Sequence, residues 1–183
     1  DSAMKHITFY LDFISPFAHL AFERLPVVLE GISHEVKYKP IVFGAVLKHH
    51  GQLGPAEING KREWTYRQVL WLAHQLGIPF QMPQHHPFPS LDLLRLAVAC
   101  GHEGMPSRWT CEQIFRHVWQ GGLDAGDKGR LAELTQRLEP ANDPNSPDTK
   151  NLLRRFTDEA IAHNVFGVPT FEVDGEFFWG LDA

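Results

Sequence analysis

The first forty residues change period twice. In "HITFYLDF" (6–13), Ile7, Phe9, Leu11 and Phe13 fall on one side and His6, Thr8, Tyr10 and Asp12 on the other, the two-residue repeat of a strand. A helical stripe follows: Phe17, Leu20, Ala21 and Leu25 recur behind Ser15 and Pro16, residue types that suit the N-cap and first helical position. Pro26 is expected to bend or end that helix in its last turn. After Gly31, "SHEVKYKPI" (33–41) alternates again. A strand, helix and strand this closely spaced predict a parallel pair joined by a crossover.

At the far end, Asp148 is expected to cap "TKNLLRRFTDEAIAHN" (149–164), whose Leu152, Phe156 and Ala160 share a face. Two apolar runs, "FGVPTFEV" (166–173) and "EFFWG" (176–180), then flank Asp174-Gly175, a two-residue signal for a type I′ hairpin. A short final helix is expected to begin between Gly180 and Ala183. Residues 61–76, 90–103, 107–120 and 128–138 carry helical spacing, separated by Pro- and Gly-rich breaks. The order β-α-β, helical insertion, α-β-β is an α/β arrangement similar to the thioredoxin fold with an inserted all-helical domain. It assigns residues 4–44 and 148–183 to the thioredoxin-like part and 45–147 to the insertion.

Composition narrows the function. A chain of 183 residues that is 43% hydrophobic can bury a sizeable core without disulfides or metals. Its net charge of −5 offers neither a basic patch for nucleic acid nor one for an anionic membrane. No 18-residue apolar run is present, so a membrane span is not expected. The N-terminal residues lack a signal-peptide pattern, which predicts a cytoplasmic protein; Asp1-Ser2-Ala3 ahead of Met4 reads as an appended remnant and is set aside. Cys100 and Cys111, the two cysteines, sit in helical stretches and form no C-x-x-C; they are expected to be small buried hydrophobes. Adjacent histidines at 49–50 and 85–86 diverge in direction, and without H-E-x-x-H or cysteines at zinc spacing no metal is expected.

Two motifs carry a family resemblance. "FISPFAHLAFERLP" (13–26) resembles the strand-to-helix turn where DsbA-type oxidoreductases hold Cys-Pro-x-Cys, with Ser15 and Ala18 at the cysteine positions. "FGVPTFEVDGEFF" (166–178) resembles the loop in which thioredoxin-like proteins place a cis-proline opposite that turn. Without those cysteines thiol-disulfide exchange has no attacking sulfur. Together with "VFGAVLKHHGQLGPAEINGKREW" (42–64), similar to a glutathione-side loop and helix start, the chain resembles the branch containing 2-hydroxychromene-2-carboxylate isomerases and kappa-class glutathione transferases.

That resemblance implies glutathione as cofactor, a small aromatic acid as substrate, and a homodimer. The expected reaction is isomerisation of 2-hydroxychromene-2-carboxylate to its open-chain form, with Ser15 donating its hydroxyl to the glutathione sulfur. It further implies that Phe17, Gln52, Lys61, Val168, Pro169, Asp182 and Ala183 help to hold the tripeptide, Val168 through its backbone beside a cis Pro169. Gln52 stands where the branch often has Asn, Gln68 and Trp71 where Asp and Arg are common, and Ala183 where Ser or Arg follows the Asp. An acceptor pocket between the two parts is expected from Phe13, Phe17, Trp64, Trp71 and the 85–89 loop, with His85, His86 and Phe88. Read without the resemblance, Ser15 is an ordinary helix cap, Lys61 a solvated helix start, and Trp64, Trp71 and Phe88 core residues. The alternatives are glutathione conjugation in the kappa-class manner and a cleft that binds glutathione or a peptide without catalysis.

Overall fold

The computed structural model describes residues 4–180. Asp182, Ala183 and the expected final helix lie outside the described residues. A four-stranded sheet is built from β1 (Lys5–Leu11), β2 (His34–Pro40), β3 (Thr170–Val173) and β4 (Glu176–Trp179) in the order β2-β1-β3-β4. β1 pairs parallel with β2 and antiparallel with β3, and β3 pairs antiparallel with β4. The hairpin turns through Asp174 (φ 50°) and Gly175 (φ 90°), the two positive φ values that a type I′ turn requires.

Helix α1 (Pro16–Val28) covers one face, where Phe22 packs against Phe9 and Tyr38. It runs through Pro26, which sits in its last turn. Helix α7 (Pro147–Ala162) covers the other face, with Lys39 paired to Glu159 at 3.7 Å. Its cap corrects the sequence expectation: Ser146, not Asp148, accepts from the backbone, at Thr149 N–H (3.2 Å). Asp148 occupies the first turn, next to Pro147 at its start.

Between β2 and α7 lie α2 (Phe43–His49), α3 (Lys61–Leu76), α4 (Leu91–Cys100), α5 (Arg108–Trp119) and α6 (Lys128–Leu138), with a 3-10 turn at Pro55–Glu57. Helix α2 replaces part of the expected 42–64 loop. It has no local side-chain cap; Thr157 Oγ1 accepts from Val42 N–H at 3.0 Å and Asp12 Oδ2 from Phe43 N–H at 3.0 Å. Its N-terminal donors are thus satisfied by residues distant in sequence.

One buried cluster runs from Phe9, Leu11 and Phe22 through Leu94, Ile114, Phe115 and Trp119 to Phe156. The intervening helices therefore share their apolar core with the sheet. A smaller cluster, Leu20 with Val69 and Ala73, packs α3 onto α1. Among the described residues no helix is long and apolar enough to cross a membrane.

Candidate active site

The site is organised around the end of β1. Ser15 caps α1 from extended backbone (φ −89°, ψ 116°), and its Oγ accepts from Ala18 N–H at 3.1 Å. Pro16 contributes no N–H to be satisfied. The first turn of α1 carries no acidic residue, so nothing on the helix itself neutralises the positive end of its dipole. Opposite, the Val168–Pro169 peptide is cis, and the Val168 carbonyl accepts from the Ser15 hydroxyl at 3.4 Å. That is long beside the roughly 2.7–2.8 Å usual for a hydroxyl donor, so the proton is weakly held. Among the described residues no acceptor meets the Val168 N–H, although Val168 is buried.

Beneath the turn lies Asp12, 1% exposed. Its carboxylate accepts from Ile14 N–H (3.3 Å), Phe43 N–H (3.0 Å) and Ser90 Oγ–H (2.8 Å), tying β1 to the starts of α2 and α4. Burial is the larger influence and pushes its pKa from 3.8 up to about 6, against the pull of these hydrogen bonds. The fold thus favours the protonated acid. This group's contribution to stability is complete below about pH 4 and is lost as pH rises through about 6. The stability of the protein relative to Asp12→Asn is expected to grow by about 2 kcal/mol between pH 7.5 and pH 4.5. Urea melts of both proteins across that range check it, and a pH-independent difference would refute the assignment.

The expected ligand residues are distributed as follows. Phe17, half-buried, packs beside the Leu20–Val69–Ala73 cluster. Lys61 is exposed at the first position of α3, where a cation opposes the helix dipole; Glu63 answers it locally by accepting from Gly60 N–H at 3.0 Å. Gln52 is exposed in the turn after α2, with its N–H on the Leu47 carbonyl.

The acceptor pocket needs correction. Phe13 is fully buried with its ring edge-on to Phe115 at 4.8 Å, and Phe88 is 5% exposed within the same core. Both are core side chains, because the inward phase of β1 carries Phe13 beneath the turn. Trp64 and Trp71 are 56% and 60% exposed on α3, which overturns their reading as core residues and leaves them as surface aromatics. His85 is exposed and His86 half-buried. Two surface cavities, of about 460 and 290 Å3, lie elsewhere, one at the C-terminal end of α1 and the other between α1 and β3–β4.

Sequence reasoning missed four groups that the structure gathers here: Asp12, Tyr66, Ser90 and Trp119. Trp119 is fully buried and its indole N–H donates to the Phe13 carbonyl at 3.0 Å. Asp12 had a legible signal, since a strand with an acidic residue at its end runs directly into the Ser-Pro turn; the other three had none. The cysteines offer no redox chemistry. Both are free, and burial pushes the Cys100 thiol up to about 11 and that of Cys111 further, away from thiolate reactivity.

A family model described as a DSBA-like thioredoxin domain matches residues 6–183. Over 185 residues the chain is 27% identical to glutathione S-transferase kappa 2 of Caenorhabditis elegans, covering 92% of this chain and 81% of that protein. It is 26% identical over 185 residues to the 2-hydroxychromene-2-carboxylate isomerase of Sphingobium xenophagum, covering 97% and 93%. A solved 2-hydroxychromene-2-carboxylate isomerase superposes with a TM-score of 0.79 at 24% identity, over 97% of this chain and 89% of that one. With the Ser-Pro turn at the head of α1 facing the proline loop before β3, the chain belongs to the DSBA-like thioredoxin domain family.

Proposed function

We propose that the protein is a glutathione-dependent isomerase of 2-hydroxychromene-2-carboxylate or a similar aromatic conjugated acid. The observation that carries this reading is the pairing of a loosely committed Ser15 hydroxyl with the cis-proline loop, at a position where no cysteine competes. Isomerases and kappa-class transferases among its relatives support it.

The residues present fit a thiol tripeptide. Val168 offers an N–H without a partner among the described residues, suited to pairing with an extended peptide. Bound glutathione would supply a thiolate that adds reversibly to a conjugated carbon and so frees a double bond to rotate. An ordinary thiol, with pKa near 8.5, is only about 3% ionised at pH 7, and lowering that pKa by ~2 units needs a preference of about 2.7 kcal/mol for the anion. The α1 N-terminus contributes roughly 0.3–2 kcal/mol. A hydroxyl donated to a charged acceptor contributes about 1.5–3. Ser15 can do this because its proton leaves only the long bond to Val168, while its lone pair keeps capping Ala18. We assign the roles of Gln52, Lys61, Asp182 and Ala183 to the tripeptide's polar ends on resemblance alone.

The assay mixes protein, glutathione and the chromene acid and follows the absorbance, with chromatography of the product. Isomer formation that requires glutathione but does not consume it is the expected result. A stable thioether would instead favour conjugation, and binding without turnover across several conjugated acids would reduce the site to a binding cleft.

A further inference from the structure

Ile14, the residue preceding Ser15, is held at both of its backbone groups. Its N–H donates to the Asp12 carboxylate as described; its carbonyl accepts from His86 Nε2 at 2.8 Å. A carbonyl can only accept, so the His86 proton resides on Nε2 and, in the neutral ring, Nδ1 is left as an acceptor. Tyr66 Oη lies 2.7 Å from that Nδ1 and 2.9 Å from the His86 carbonyl. Its single proton has two acceptors on the same residue. The ring is flanked by Tyr66 and Trp119, each at 5.4 Å, and by Phe88 at 6.1 Å. An apolar side chain of similar size would fill this space against Trp119 equally well. What the imidazole adds is a directed donor to one carbonyl, the one next to the residue on which the proposed chemistry depends.

We propose that Tyr66 and His86 are a positioning pair for Ser15. Tyr66 selects the tautomer and orientation of the imidazole, His86 holds the Ile14 carbonyl, and together they set the direction of the Ser15 hydroxyl and of the first α1 turn. The pair also links the turn to α3, which otherwise meets α1 through the small Leu20, Val69 and Ala73 cluster. The purpose of this alignment rests on the glutathione reading, but the alignment itself does not, and the two are tested separately.

Three variants are compared with the natural protein: Tyr66→Phe, His86→Leu and His86→Gln, whose amide can replace the Nε2 donor. In the ligand-free protein, hydrogen exchange at the Ala18 and His19 amides reports the first turn of α1. His86→Leu is expected to speed it by about tenfold beyond any change at core amides. His86→Gln should restore most of the protection, and Tyr66→Phe should fall between. With glutathione added, thiolate absorbance is expected to fall in the same order, along with kcat more than KM. Unchanged Ala18 exchange in His86→Leu, or identical behaviour of His86→Leu and His86→Gln, overturns the proposal. If exchange responds as expected while the natural protein itself shows no thiolate with glutathione, the positioning role stands and the glutathione reading falls.

Discussion

Ser15→Ala is expected to lower glutathione-dependent turnover by roughly a hundredfold, the scale on which removal of one donor to a developing anion usually acts. The helix dipole survives the change, so some thiolate should persist. What disappears is the hydroxyl that caps Ala18 and faces the Val168 carbonyl. Loss of the cap destabilises by about 1 kcal/mol, too little to unfold an ordinary domain. The signature is therefore a large fall in kcat with a small shift in the urea midpoint, together with a bound-thiol pKa raised by about 1–2 units, read from thiolate absorbance against pH. Ser15→Thr keeps both hydroxyl and cap and should retain most of the activity. Equal turnover in Ser15→Ala and the natural protein would remove the hydroxyl from the chemistry.

The second large effect falls on stability. Trp119 is fully buried; it stacks on Phe80 at 5.3 Å, touches the rings of His19 and His86, and donates to the Phe13 carbonyl. Trp119→Ala removes that packing, for about 3–5 kcal/mol. It also leaves a buried carbonyl unpaired, for about 1–3 more. Against a typical total of about 5–15 kcal/mol, the variant should be largely unfolded at modest urea concentrations. Trp119→Phe keeps much of the ring but not the donor, and should lie about 1–3 kcal/mol below the natural protein. Denaturation at constant m-value measures both. A Trp119→Ala midpoint within 1 kcal/mol of the natural protein would mean that the turn is held without this indole.

Phe13 and Phe88 are core residues through contacts that no local pattern encodes. Strand alternation places Phe13 on the apolar side of β1, but whether that side meets a cleft or a second layer depends on what packs over it; here Phe115 does. Trp64 and Trp71 went the other way. They lie on the outer side of α3, while Thr65, Val69 and Ala73 form its buried face. Helix α2 was missed for a related reason. Seven residues containing a glycine and no local cap carry little helical signal, and the groups that satisfy its start, Asp12 and Thr157, come from elsewhere in the chain.

By itself the sequence determined the order of the strands and of the helices other than α2, the Ser-Pro turn and the hairpin, because each rests on periods and turn chemistry that act within a few residues; the proline loop was legible through its resemblance to thioredoxin-like proteins. Only the tertiary structure decided that Asp12 is buried at the junction of β1, α2 and α4, and that Tyr66 and His86 reach the peptide before Ser15. Apart from the local Ile14–Asp12 contact, these join residues 20 to 78 positions apart. Their strength comes from desolvation and direction, which exist once layers have packed and leave no periodic trace in the order of the amino acids.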